Sequence, residues 1–293
     1  MKSSFLKYLS FERRYSPHTV SSYSTDLEQF SAFLKSEFEI ANLEEALHPQ
    51  VRAWLIHLVE KKLSPTTINR KISTLRAYYK FLLKRETIQV NPTAKVRVLK
   101  KANKLPRFVK EDDMVRLLEN LHYSDNFAGQ RDKMVLELLY GTGIRLAELL
   151  GLTEEQIDLE KKEIKVLGKR NKERIIPLSG ELTTVISRYK SIKIDEFRGM
   201  ASKHLIVTDE GKIGYPMLIY RITKNYLAQF TTLDKRSPHV LRHTFATHLL
   251  NKGAELNAVK ELLGHSSLAA TQVYTHNSLE KLKDVFAQAH PKA

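Results

Sequence analysis

The sequence predicts a mainly α-helical protein of two domains, with a small antiparallel β-sheet confined to the C-terminal one. Apolar residues recur at i, i+3/i+4 through most of both halves. A single stretch, Glu163 to Leu178, alternates with period two before a turn and resumes an apolar run after it. The 293-residue length suits about two domains, and periodicity fails near the first third over a basic, proline-containing run.

Residues 2–13 read as a short helix with Phe5, Leu6 and Leu9 apolar. Ser16-Pro17 is a start signal, a cap followed by proline in the first turn, and Val20, Tyr23, Leu27, Phe30 and Leu34 form the stripe behind it. A third helix spans about 49–61 around Val51, Trp54, Leu55 and Leu58. Ser64-Pro65 repeats the start signal, and Ile68, Ile72, Leu75, Tyr79 and Leu82 follow. These four helices are expected to pack by their apolar faces into a domain over residues 1–88. The run from Thr87 to Arg107 holds Asn91-Pro92, Leu105-Pro106 and a cluster of lysines, so 89–107 reads as a basic linker.

The second domain, 108–293, opens with helices at 111–121 and 131–140, broken by Gly141-Thr142-Gly143. Another helix starts around Arg145. Glu163 to Leu167 and Arg174 to Leu178 form a hairpin with the basic tip Gly168-Lys169-Arg170-Asn171-Lys172. Helices follow at about 180–192 and 217–230. Ser237-Pro238 then opens a helix whose Leu241, Phe245 and Leu249 should be buried, with Ser237 as its cap. Glu255 to Leu263 is closed by Gly264, Leu268 to Thr275 is helical, and the tail from Ser278 to Gln288 aligns Leu279, Leu282 and Phe286 on one face.

The formal net charge is +15, the electrostatic footprint of a nucleic-acid binder. Residues 1–105 hold 19 Lys+Arg against 9 Asp+Glu, so the N-terminal third is the more basic part and a candidate DNA grip. On its last helix Arg70, Lys71, Arg76, Lys80 and Lys84 are candidates for contacts to backbone phosphates, against the plainer reading of a solvated face. The chain has no cysteine, which excludes thiol catalysis, disulfides and thiolate metal sites. No stretch approaches the roughly 20 apolar residues of a membrane span, and Met1 to Tyr8 hold no run of signal-peptide length, so a cytoplasmic protein is expected.

Six polar residues fall at the ends of elements: Arg145, Lys169, His239, Arg242, His265 and Tyr274. There is no Walker-type loop, no H-E-x-x-H and no tight acidic cluster of the two-metal kind. The set suits phosphoryl transfer without a metal. Arginines neutralise phosphate oxygens, histidines and a lysine move protons, and a tyrosine attacks. His239 and Arg242 share a face near a helix N-terminus, where backbone N–H groups favour an anion, although a capping histidine and a solvated arginine would show the same spacing. With 12 tyrosines present, spacing alone does not select Tyr274, and Lys172 competes with Lys169 at the same tip.

These residues resemble a known family, the tyrosine site-specific recombinases, also called the phage integrase family. Gly141 to Leu149 resembles its first arginine box, Gly168 to Arg174 its lysine hairpin, His239 to Thr247 its H-x-x-R box, and Leu262 to Ser266 with Thr271 to His276 its terminal box. The likeness spans nearly the whole chain and is greatest to bacterial Xer-type recombinases, which resolve chromosome dimers. Two departures stand out: Arg170 where many relatives carry glycine, and Ala147 where serine is frequent.

The resemblance implies a C-shaped DNA clamp made of a helical core-binding domain and a catalytic domain. It implies that Tyr274 attacks a scissile phosphate to give a 3′-phosphotyrosyl link, with His239 as base, Lys169 as acid, Arg145 and Arg242 on the phosphate and His265 orienting it. No metal, ATP or other cofactor is then needed. The implied partners are a double-stranded DNA recombination site, a homo- or hetero-tetramer with a related recombinase, and an activating cell-division DNA translocase, with no membrane. A phage or mobile-element integrase of the same family is the nearest alternative. A non-cutting architectural DNA-binding protein is disfavoured because all six chemical positions are filled.

Overall fold

A computed structural model describes residues 1–100, 108–168, 173–231 and 233–264. The chain divides into two compact units, Met1–Lys104 and Leu105–Ala293, each with its own apolar core.

In the first unit α1 (Lys2–Lys7) runs on through a π-helical turn, Tyr8–Glu12. It is followed by α2 (Pro17–Phe38), α3 (His48–Glu60) and α4 (Pro65–Lys84). Helices α2 and α4 start alike. Ser16 and Ser64 accept from the backbone N–H of Thr19 and Thr67, at 3.3 and 3.2 Å, with Pro17 and Pro65 in the first turn. Each such cap is worth about 1 kcal/mol. Phe5, Phe30, Trp54, Tyr78 and Tyr79 fill the core. Phe30 lies 4.8 Å from Trp54, Phe5 meets Tyr78 edge-on, and the Tyr79 hydroxyl donates to the Leu43 carbonyl at 2.7 Å. Burial of each large apolar side chain contributes roughly 2–3 kcal/mol.

The segment expected as a linker, 89–107, is described as far as residue 100, and that part is laid on the first unit. Asn69 donates to the Leu99 carbonyl at 2.9 Å and accepts from the Leu99 N–H at 2.8 Å. Arg76 donates to the Val96 carbonyl at 2.6 Å, and Val96 is buried.

One candidate phosphate contact is corrected. Lys71 is buried, with its ammonium 2.8 Å from Asp26, in hydrogen bond with Gln29 and 5.8 Å from the centre of the Trp54 ring. Its position explains this. Residue 71 follows Ile68 by three and precedes Leu75 by four, so it sits on the apolar stripe, and a charge there needs an internal partner. Asp26, itself fully buried, also accepts from Arg70 and from the Thr74 hydroxyl. Arg70, Arg76, Lys80 and Lys84 remain exposed on α4.

The second unit is built on α6 (Phe127–Thr142), which is buried nearly all round and packs against both α8 (Gly180–Phe197) and α10 (Pro238–Asn251). A helix apolar on every side belongs at the centre of its domain. It starts four residues earlier than expected because Asn126 caps it, accepting from the Gly129 N–H at 2.9 Å. It also runs through Gly141 and Thr142, so the break falls at Gly143. Around it lie α5 (Glu111–Val115), α7 (Leu146–Gly151), α9 (Pro216–Phe230) and α11 (Leu256–Leu262).

The sheet has the order β1 (Ile157–Asp158), β2 (Glu163–Leu167), β3 (Glu173–Pro177), antiparallel throughout, with Ile157 opposite Ile164 and Lys165 opposite Ile175. Strand β1 was not expected, since two residues show no period. The hairpin tip 169–172, the helical segment expected at 268–275 and the tail at 278–288 lie outside the described residues.

The start of this unit is fastened to α10. The Val109 N–H donates to the Thr244 hydroxyl at 3.0 Å. The buried His248 ring bridges the Val109 carbonyl and the Tyr140 hydroxyl, each at 3.0 Å.

Candidate active site

Gly143 shapes the first arginine box. It sits in the left-handed region at φ +58°, and a Cβ there would come within 2.5 Å of Phe245 and 2.7 Å of Leu263. Only glycine fits both the angle and the space. The turn places Arg145 as N-cap of α7, where its backbone N–H donates to Glu148 at 3.0 Å. The Arg145 guanidinium donates to the same carboxylate at 2.7 Å and to the Gly264 carbonyl at 2.7 Å.

Arg242 arrives from α10. Leu241, Phe245 and Leu249 are fully buried, as their spacing predicts, and fix the rotation of the helix. Ser237, expected as the cap, makes no side-chain cap bond. Its extended backbone leads into Pro238, and its hydroxyl accepts no hydrogen bond from the first-turn N–H groups. Arg242 is buried and donates to the Gly143 carbonyl and, at 2.6 Å, to the Leu263 carbonyl. Burial and the nearby Arg145 lower its pKa to about 10, with Glu148 pulling the other way, so it stays charged at neutral pH. His239, one turn earlier, is exposed.

Two further residues belong to the cluster. Glu148 and Arg174 were not among the expected site residues. Arg174 grips Glu148 through two parallel bonds of 2.9 and 2.8 Å and donates from Nε to the Leu262 carbonyl at 3.1 Å. Burial alone would raise the Glu148 carboxyl. The hydrogen bonds from Arg174 and from the Arg145 backbone overcome it and hold the pKa at about 2. Both residues left a trace in the sequence. Glu148 stands three residues after an N-cap, where a carboxylate reaches back to the cap N–H. Arg174 faces Val166 on the buried side of an alternating strand, where a charge needs a partner.

Arg145 and Arg174 thus share one carboxylate, and together with Arg242 they converge from three elements on the carbonyls of Leu262, Leu263 and Gly264. The cluster has two more cations than anions, which suits an anion bearing several oxygens. Of the six expected chemical residues, Arg145 and Arg242 are brought together and His239 lies on the same helix as Arg242. Lys169, His265 and Tyr274 lie outside the described residues. Among the described residues no group of three or more His, Asp or Glu is placed to hold a metal ion, and no helix is long and apolar enough to cross a membrane.

Residues 107–281 match the profile of the phage integrase family, and residues 3–86 match its N-terminal SAM-like domain. Tyrosine recombinase XerC of Staphylococcus carnosus is 40% identical, across 100% of this chain and 98% of the relative. XerC of Chlorobaculum parvum is 38% identical, across 99% and 94%.

The chain belongs to the phage integrase family.

It is therefore a tyrosine recombinase by family, a DNA strand-exchange enzyme. The fold agrees. XerH site-specific recombinase, solved bound to palindromic difH substrate, is similar with a TM-score of 0.73 at 20% identity, over 97% of this chain and 83% of that one. The Tn1549 transposon integrase, solved with circular intermediate DNA, gives 0.68 at 20% identity over 96% and 98%.

Proposed function

We propose that this recombinase cuts and rejoins DNA through a 3′-phosphotyrosyl intermediate at the Arg145–Arg242 cluster and resolves chromosome dimers at a terminus-region site. The observation that carries the reading is the convergence of Arg145 and Arg242 on the two carbonyls immediately before His265. Those donors are arranged to receive oxygen, and the chain that follows them leads through His265 to Tyr274. The high likeness to XerC over the whole chain favours the chromosomal role.

In this reaction the Tyr274 oxygen attacks phosphorus, the bond from phosphorus to the 5′-oxygen breaks, and the 5′-oxygen leaves as a hydroxyl. His239 takes the tyrosine proton and Lys169 delivers one to the leaving oxygen. Arg145 and Arg242 neutralise the non-bridging oxygens as charge develops, and His265 orients the phosphate. The phosphotyrosyl bond keeps the ester energy, so attack by a second 5′-hydroxyl reseals the strand without ATP. Two such exchanges pass through a Holliday junction.

The protein works in the cytoplasm at the nucleoid, in a tetramer on its DNA site with copies of itself or a related recombinase. A cell-division DNA translocase activates it. The amphipathic tail couples neighbouring subunits. Arg70, Arg76, Lys80 and Lys84 on α4 supply phosphate contacts.

The test is a duplex nicked next to the scissile phosphate, so that the released fragment diffuses away and the adduct accumulates. Wild-type protein is expected to become covalently attached to the DNA, in EDTA as well as without it, and Tyr274→Phe is not. An adduct that persists in the variant, or one abolished by EDTA, overturns the assignment.

A further inference from the structure

Three consecutive carbonyls close α11, and each is held by a different arginine: Leu262 by Arg174, Leu263 by Arg242 and Gly264 by Arg145. Arg242 and Arg145 are accounted for by the phosphate. Arg174 is not. It is buried, each of its three guanidinium nitrogens donates a hydrogen bond, and Glu148 stands between it and Arg145. Gly264 is also shaped to it. At φ +63° a Cβ would meet the Arg174 side chain at 3.2 Å, so the guanidinium packs closely against the backbone there. Arg174 is the second residue of β3, close in sequence to the turn segment that carries Lys169.

From this geometry we infer that Arg174 is a positioning residue for strand cleavage. It aligns Arg145 through Glu148 and, through the Leu262 carbonyl, fixes the end of α11 on which Arg145 and Arg242 also bear. The physical reason lies in the fork of the guanidinium. Its two Nη atoms hold both carboxylate oxygens in one plane, which leaves Glu148 a single orientation from which to accept from Arg145. Its Nε donates on another edge, so one rigid group ties three elements: α7, β3 and the end of α11. Lysine has no such fork. It neutralises Glu148 as a point charge but does not reach the Leu262 carbonyl in the same pose.

The inference rests on the phosphotyrosyl reading above, and the comparison with wild type keeps the two apart. If wild-type protein forms no adduct, that reading fails first. If wild type does, Arg174→Lys is measured against it at saturating DNA. DNA affinity is expected to stay near that of wild type and the protein to remain folded under the assay conditions, with a lowered unfolding midpoint, while adduct formation falls by about 100-fold, the cost of displacing a reacting group by about 1 Å.

A second substrate separates positioning from mere support of the fold. With a methylphosphonate at the scissile position, one charged oxygen is gone and precise alignment of Arg145 matters less. The gap between Arg174→Lys and wild type is expected to shrink at least about tenfold. Wild-type cleavage by Arg174→Lys, or an equal loss on both substrates, overturns the inference. If Arg174→Lys does not fold, the pair Glu148→Gln with Arg174→Gln removes both buried charges together and takes the same two-substrate test. Equal loss on both substrates again overturns it.

Discussion

Glu148 links catalytic geometry to stability. Its carboxyl sits at about 2 in the folded protein, against about 4.3 for an ordinary glutamate. A depressed carboxyl contributes stability that is complete above the unfolded pKa and is lost as pH falls through the folded one. The shift corresponds to roughly 3 kcal/mol, present above about pH 5 and lost towards pH 2. Denaturant unfolding at pH 7 and pH 3 is expected to show a larger difference for wild type than for Glu148→Gln. Gly143→Ala tests the turn before it. The new Cβ meets Phe245 and Leu263 at a positive φ, so a loss of about 3 kcal/mol is expected from chemical denaturation. At this scale the sequence was legible where residue type and position coincide. Gly143 and Arg145 stand out beside each other at a helix break, whereas Arg174 is one basic residue among several in a hairpin and only its inward register marks it.

Helix α4 shows how far element-level patterns reach. Its five-residue apolar stripe is buried as spacing predicts. The same spacing, extended by one position, places Lys71 inside, yet its charge alone reads as surface. The pairing with Asp26, 45 residues away, has no local signature. Two variants separate the kinds of lysine. Lys71→Met is expected to destabilise the protein by about 3 kcal/mol, because the buried Asp26 loses a partner, with no change in how DNA affinity varies with salt. The double change Lys80→Ala with Lys84→Ala is expected to leave the unfolding midpoint in place and to flatten the slope of log affinity against log salt by about 2. The helix boundaries follow the same rule. The starts of α2 and α4 at Ser-Pro, and of α6 at Asn126, are set by local capping chemistry, whereas the passage of α6 through Gly141 is set by packing against α8 and α10.

Over the whole molecule, an excess of 15 positive charges and two separate cores are read directly from composition and periodicity. The convergence of arginines from α7, β3 and α10 on the carbonyls at the end of α11 is not, because it joins residues up to 119 positions apart. That convergence carries one chemical commitment: the strand is cut by a protein side chain and its phosphate is held by arginines. The direct measurement is to digest the covalent adduct from the nicked duplex and identify, by mass spectrometry, the peptide that carries nucleotide. The expected result is nucleotide joined through its 3′-phosphate to Tyr274, with a 5′-hydroxyl on the released strand. Attachment to any other of the 12 tyrosines, or through a 5′-phosphate, would contradict it.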